Sequence, residues 1–533
     1  MTKSLMTDLI QTDILILGSG IAGGTAALQL ADAGYNVTVM TRSRDPHNSN
    51  TNWAQGGIIY RGDEDAPALL AEDIVHAGVD YCNPRAVQIL SEEGPELVKR
   101  ILIDQLKVPF DHEKDGHISL ALEGGHGLPR IVHAADTTGA AIERNLIQAL
   151  RSHPKISLLT SYSAIDLLTP AHHSLDRLQI YEPQSCVGVY ALHRETGEVV
   201  RILAKRTILA TGGLGQIFLY TTNPPGARGD GVAMAYRAGA RVINAEFVQF
   251  HPTAFVKQGA PRFLISEAVR GDGARLCHAD GEPFMQKYEP QWKDLAPRDV
   301  VSRCIHKEML ARSVPNVFLD LRSYISKERI EHHFPNILKT CAEYGVDVIK
   351  DLVPVAPAAH YFCGGVWVDE WGRTTIDKLY AIGEVSCTGL HGANRLASTS
   401  LLEGLVWGVR AAQDIQASNM TDQAPNPDLM PAWRESGTTA PDPALIAQDM
   451  TSIQYMMWNY VGLVRSSKRL QRALHELRHL ESEIEDFYRT SKVTDELLGL
   501  RNAVRTAIIV AMAAWENKRS VGCHYREDEE AKS

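Results

Sequence analysis

The sequence predicts an α/β fold: a Rossmann-like, doubly wound sheet domain, interrupted by an inserted module and followed by a helical bundle. Three observations carry this. A strand pattern, a glycine turn, a helical pattern and a second strand pattern follow one another between residues 13 and 40. Two further buried-strand patterns, "RTILATGG" and "KLYAIGE", run into glycines far downstream, at Gly212, Gly213 and Gly383. Beyond residue 430 the apolar residues recur at helical spacing.

Asp13 to Leu17 reads as a buried strand, Ala22 to Ala33 as a helix ending before Gly34, and Asn36 to Met40 as a second strand, which completes a βαβ unit. The long uncharged run "ILILGSGIAGGTAALQLA" is closed by Asp13 and Asp32, and its glycines fit a nucleotide-binding turn better than a membrane span. Strands so far apart are most simply joined in one sheet with a module inserted between them. The proline-punctuated segments "FVQFHPTAF" and "PVAPAAHYFCGG" bracket that module as hinges or strand crossovers. The expected domains are residues 1–243 and 358–420 for the sheet domain, 244–357 for the insertion and 430–533 for the helical end. Beyond Gln416, between the sheet domain and the helical end, "ASNMTDQAPNPDLMPAWRESGTTAPDP" has the composition of a linker. Leu470, Ala473, Leu474, Leu477, Leu480 and Ile484 mark one helix and Leu497 to Trp515 another, while "REDEEAKS" reads as a solvated tail.

Composition narrows the function. A chain of 533 residues with 44% hydrophobic and 22% charged residues has ample material for a buried cofactor. A net charge of −10 without a long basic run argues against nucleic acid or an anionic membrane as the main partner, and an anionic substrate would need a local cationic pocket. The eight cysteines include no C-x-x-C pair and no zinc spacing, which fits reduced thiols. The first ten residues lack the apolar core of a signal peptide, so a cytoplasmic location is expected.

In "GSGIAGG", Gly18, Gly20 and Gly23 follow a strand and open a helix, the arrangement in which backbone N–H groups and a helix N-terminus hold a pyrophosphate. Where an acidic residue would hold an adenosine ribose, Thr41 and Arg42 stand instead, which weakens the case for NAD. "NSNTNWAQGGI" then offers amides, a hydroxyl and two glycines, donors that a flavin and its ribityl chain require. Downstream, "SCTGLHGANRLASTS" sets Arg395 among small and polar residues. It could grip a phosphate, clamp a carboxylate or tie two loops together.

The ordered set "GSGIAGG", "NTNWAQGG", "ATGG", "GARGDGVAMAYRAGA", "EFVQFHPTAF", "APRDVVSR", "AHYFCGGV" and "LYAIGEVSCTGLHGANRLASTSLLEG" resembles the succinate dehydrogenase/fumarate reductase flavoprotein family over roughly residues 12–415. The resemblance implies an FAD-binding domain with an inserted α+β capping domain. It implies FAD contacts at Gly18, Ser19, Gly20, Ile21, Ala22 and Gly23, at Arg42, and at Asn50, Thr51, Asn52, Trp53, Ala54, Gln55, Gly56 and Gly57. Asp230, Glu384, Ser400 and Leu401 complete the set, with Glu384 on ribose hydroxyls. Respiratory members carry a histidine bonded covalently to FAD where this chain has Asn50, and an amide cannot form that bond. Non-covalent FAD is therefore expected.

The same resemblance implies substrate contacts at His251, Ser266, His360 and Arg395, with Arg298 in the proton-transfer role and Glu267 and Arg270 as its relay. Two arginine forks and two histidine donors suit a small dicarboxylate held over the flavin. In "LALEGGHGLPRIVHAADTTG", Glu123 would enter this cationic site, repelling succinate or fumarate but pairing with an α-ammonium group. The branch of the family that oxidises L-aspartate carries "EGGH" here. The expected reaction is oxidation of L-aspartate to iminoaspartate with oxygen or fumarate as acceptor, feeding quinolinate and NAD synthesis, with quinolinate synthase as a partner. A soluble fumarate reductase or a succinate dehydrogenase flavoprotein is the alternative, opposed by Glu123, Asn50 and chain length.

Overall fold

The computed structural model describes residues 8–528 except 63, 261, 419, 421, 422 and 436. Expectations placed on the first seven residues and on the end of the tail lie outside the described residues.

The strand Leu9–Leu17 sits inside a seven-stranded sheet, parallel to Val37–Met40 on one side and to Val199–Leu209 on the other. Val199–Leu209 is long enough to serve two neighbours along its far edge. Its first half pairs antiparallel with Gly188–His193 and its second half pairs parallel with Leu379–Ala381. The strand of "KLYAIGE" thus returns beside that of "RTILATGG" and brings two glycine turns to one sheet edge.

Both faces of the sheet are covered, which is why its central strand is a continuous apolar run rather than an alternating one. Ile14 and Ile16 pack with the helices Ile21–Asp32, Thr138–Ser152 and Thr399–Ala417. Leu15 and Leu17 face the opposite layer, where the 22-residue helix Asp495–Glu516 contributes Leu500, Val504 and Ile508. That helix is long and apolar enough to cross a membrane, and 78% of its apolar window is buried inside the protein.

The helices Ile21–Asp32 and Thr399–Ala417 meet through Gly404 and Gly408. A Cβ at Gly404 would lie 3.0 Å from the Ile21 side chain, and one at Gly408 would lie 2.8 Å from the Ala22 carbonyl oxygen. Side chains there would push the helices apart. The glycines therefore hold the helix that follows the glycine turn against the one that begins just after Arg395.

Within the insertion, Val248–Phe255, Val353–Phe362, Val317–Asp320 and Arg275–Cys277 form an antiparallel sheet, packed with the helix Arg298–Arg312 around its own apolar cluster. The two proline-punctuated segments, expected as hinges or crossovers, are instead the paired strands Val248–Phe255 and Val353–Phe362, with His251 opposite Ala358. The ladder shifts register between His251 and Ala254, so Pro252 falls where no regular ladder bond is required.

The C-terminal helices are Pro443–Tyr460, Ser467–Thr490 and Asp495–Glu516. The segment before them is no free linker: Met430 is buried, and the Pro431 carbonyl accepts a hydrogen bond from the Tyr190 hydroxyl at 2.8 Å. Nor is Arg526 solvated. It is fully buried and bonds to Ser467 and to the Asn517 carbonyl.

Candidate active site

One cavity of about 270 Å³ runs from the N-terminal glycine turn to the inserted module. Its lining brings together every sequence-predicted site residue except Gly23, Asn52 and Arg270. Gly23 serves from behind, since a Cβ there would lie 2.1 Å from the Gly18 carbonyl oxygen. Gly18 itself has φ +120°, and a Cβ on it would meet the Ala210 carbonyl oxygen at 2.1 Å. Only glycine fits either place, so the turn passes close to the neighbouring strand and leaves its outer side to the cavity.

Beside this turn, Ser49 caps the short helix Asn50–Trp53, and the Thr51 hydroxyl accepts a hydrogen bond from the Ile21 N–H at 3.0 Å. Glu384 accepts hydrogen bonds from the Asn50 side-chain amide at 2.7 Å and the Phe362 N–H at 3.0 Å. Burial pushes its carboxyl up to about 7, against the pull of those two donors. Such a carboxyl suits the hydroxyls of a bound ribose or ribityl chain. The glycine turn, the amide-rich helix and Glu384 together fit FAD.

Arg42 has a partner that the sequence did not suggest. It lines the cavity, but its guanidinium is bound at both Nε and Nη2 by Asp495, at 2.9–3.1 Å. Asp495 also takes Arg194 and Arg228, and Asp230 takes Arg228 and Asn502. Burial raises the Asp495 carboxyl, but the surrounding arginines, Arg228 foremost, hold it well below the usual carboxylate range. The C-terminal helix thus fixes Arg42 at the cavity wall.

At the other end of the cavity, five elements supply charged or polar groups. Arg298 opens the helix Arg298–Arg312 and donates from Nε to Glu267 at 2.7 Å and from Nη1 to Gln249 at 3.2 Å. Glu267 opens the helix Glu267–Gly271, whose cap is Ser266, and lies 3.6 Å from Arg270. Burial works to raise the Glu267 carboxyl, yet Arg298 and Arg270 bring it below its ordinary value, so it is an anion. Arg270 is buried behind Glu267 and bonds to the Asp294 carbonyl. The resulting row, Arg298, Glu267, Arg270, leads away from the cavity.

His251 and His360 stand with ring centroids 5.2 Å apart. Both were expected to be able to charge, but burial and the neighbouring arginines hold both well below the ordinary histidine value, so both are neutral. His251 Nδ1 accepts the Thr253 N–H at 3.2 Å, which places its proton on Nε2. That Nε2 is buried and has no hydrogen-bond partner among the described residues, and the same holds for Nε of Arg395. Orphaned buried donors are costly, and a substrate carboxylate would satisfy both.

Glu123, 8% exposed, is no solvated loop residue. It accepts the Ser398 hydroxyl at 2.6 Å and lines the cavity opposite the cations. Ser398 has φ +57°, a left-handed conformation that a serine adopts only under constraint, at the start of the helix Thr399–Ala417. Ser400 accepts from Arg395 at 3.3 Å, and Leu401 follows on the same helix. His126, to which the sequence assigns no role, bonds to the Ala397 carbonyl at 3.0 Å beneath this junction.

Residues 13–401 match the FAD binding domain family and residues 450–533 the fumarate reductase flavoprotein C-terminal family. L-aspartate oxidase 1 of Ralstonia nicotianae is 44% identical over 518 residues, covering 97% of this chain and 95% of that one. The chain belongs to the L-aspartate oxidase family. The Pseudomonas aeruginosa L-aspartate oxidase is 42% identical over 98% of this chain and 96% of its own. Among solved structures, the FrdA chain of a mutant E. coli quinol fumarate reductase superposes with a TM-score of 0.88 at 28% identity, covering 98% of this chain and 92% of that one. Mycobacterium smegmatis Sdh1 in complex with UQ1 gives a TM-score of 0.81 at 30% identity, covering 98% and 90%.

Gln249 is fully buried and joins the two arginines: it accepts from Arg298 and donates to the Arg395 carbonyl at 2.9 Å. It stands in the quoted motif two places before His251, and a glutamine in a strand of apolar residues was the available signal. Asp495, 453 positions from Arg42, offered none.

Proposed function

We propose that this chain oxidises L-aspartate to iminoaspartate, using non-covalent FAD, with oxygen or fumarate as the electron acceptor. The observation that carries the reading is Glu123, a buried carboxyl group lining the same cavity as Arg298 and Arg395. A dicarboxylate alone would be repelled by it, whereas the α-ammonium of aspartate gives it a partner.

Bound FAD supplies the hydride acceptor. The protein's own residues hold the substrate so that its α-carbon faces that acceptor. Arg395 and the Nε2–H of His251 take carboxylate oxygens, His360 adds a second imidazole, and Arg298 binds and orients from the insertion side. Glu123 accepts from the amino group. An arginine with a pKa above about 12 is a poor acid by itself. When fumarate is reduced, Arg298 would give the proton to the carbon that hydride does not reach, and Glu267, 2.7 Å from Arg298 Nε, would restore it by passing on a proton received from the side of Arg270. Neutral imidazoles suit this task, because they donate to carboxylates without adding charge beside the arginines.

In this role the enzyme performs the first step of the quinolinate route to NAD. Quinolinate synthase is the proposed partner, since free iminoaspartate hydrolyses to oxaloacetate, and the proposed location is the cytoplasm. The reading is tested by mixing purified holoenzyme anaerobically with L-aspartate, succinate, or fumarate plus a reduced dye, and following flavin absorbance. L-aspartate should bleach the flavin, with peroxide formed on admitting oxygen. Bleaching by succinate and not by aspartate would overturn the assignment. Separately, acid precipitation should release yellow FAD into the supernatant, because Asn50 offers no nucleophile, and colour kept in the pellet would contradict that.

A further inference from the structure

We propose that Glu403, acting through the ring of Tyr361, is the counter-charge that keeps Arg395 ready for a substrate carboxylate. The inference rests on the reading of Arg395 as a carboxylate clamp. Arg395 is 5% exposed, and among the described residues no carboxylate lies within ion-pair distance of it. Its hydrogen bonds go to uncharged groups, the Leu396 carbonyl at 3.4 Å and the Ser400 hydroxyl at 3.3 Å, and its Nε has no partner. A buried cation so poorly compensated needs support from elsewhere.

That support comes from the Tyr361 ring, over which the guanidinium carbon lies 4.6 Å from the centroid. The Tyr361 hydroxyl donates to Glu403 at 2.9 Å, and Glu403, 1% exposed, also accepts from Thr388 at 2.6 Å and His391 Nε2 at 2.9 Å. Burial opposes ionisation of Glu403, but His391, Thr388 and Tyr361 outweigh it, so its carboxyl stays below the ordinary value. An anion bonded to the phenol enriches the ring in electron density and strengthens its attraction for a cation on its face.

The geometry separates two demands on one side chain. A carboxylate paired directly with Arg395 would occupy the N–H edge that the substrate needs. A ring on the face leaves that edge open. The other groups bearing on Arg395 are Arg298, Cys363 and Glu384, with His251, His360 and Glu267 across the cavity. Arg298 is the repulsive one, and burial together with it brings Arg395 down to about 10. Weakening the Tyr361 support should lower it further, so the alkaline loss of dicarboxylate binding should begin at a lower pH.

The probe is succinate, which carries no amine titrating in this range, bound to holoenzyme and read from the flavin spectrum between pH 7 and 10.5. Tyr361→Phe keeps the ring and breaks its link to Glu403; Glu403→Gln keeps the shape and removes the charge. Each should weaken succinate about fivefold to tenfold and move the alkaline limb down by about half a pH unit or more. L-aspartate turnover should show the loss in KM, with kcat within about twofold. An unmoved alkaline limb in both variants overturns the proposal, as does a loss confined to kcat. Arg395→Leu separates the two levels of inference. If it binds succinate like the parent protein, the clamp reading itself fails; if it loses binding while the other two variants match the parent, only the Tyr361–Glu403 proposal fails.

Discussion

Arg298→Lys should fold, bind FAD and lose about 10²–10³-fold in kcat/KM for L-aspartate, the range seen when one preorganised donor is removed from a reacting centre. The guanidinium meets Glu267 through Nε and Gln249 through Nη1, which fixes the plane of its fork. An ammonium group is a point charge on a flexible stem and cannot satisfy both while also meeting a carboxylate. Lysine is chosen over leucine because Glu267 is buried. Removing its cation outright would leave an unpaired anion, a change costing about 3–5 kcal/mol of stability in such settings. Rapid-mixing measurement of flavin reduction isolates the step. Loss in KM alone, with the reduction rate unchanged, would show that Arg298 only binds.

Glu123→Gln should lower the preference for L-aspartate over succinate by about 10–100-fold, corresponding to roughly 1.5–3 kcal/mol for a charge-assisted hydrogen bond in a dry site. Most of that should come from weaker aspartate binding and part from tighter succinate binding, because the repulsion between carboxylates disappears. Glutamine keeps an oxygen that can still accept the Ser398 hydroxyl, so the junction at the start of the helix Thr399–Ala417 should hold. The pair of dissociation constants decides it. Equal losses for both ligands would mean that Glu123 shapes the pocket without reading the amino group.

The glycine turn was legible because its constraint is local. Gly23 is required by the carbonyl of Gly18, five residues before it, and such a requirement leaves its mark within one short motif, whereas the Ala210 carbonyl that restricts Gly18 comes from far along the chain. His251, His360, Arg298 and Arg395 were found from motif order, yet the protonation of the histidines was not, since it depends on burial and on arginines from other elements. Arg42 shows the same limit in another form. Motif order marks Arg42 as an FAD contact, and only folding brings Asp495 to it. The Pro- and Ser-rich segment after Gln416 looked unattached because composition reports polarity; the carbonyls it offers to Tyr190 and Arg201 carry no signature of their own.

The paired strands Val248–Phe255 and Val353–Phe362 have a consequence for how this enzyme can change over time. They bring the His251 and His360 rings to 5.2 Å by ladder register, with the Thr222 hydroxyl bonded to His360 Nδ1 at 2.8 Å, although a whole module is threaded between them. The distance between the rings is therefore indifferent to the length of the intervening chain. Loops there can lengthen, shorten or acquire new surfaces without disturbing the imidazoles, provided that Glu267, Arg270 and Arg298 still arrive. What the insertion must keep for the site is two strands and three side chains.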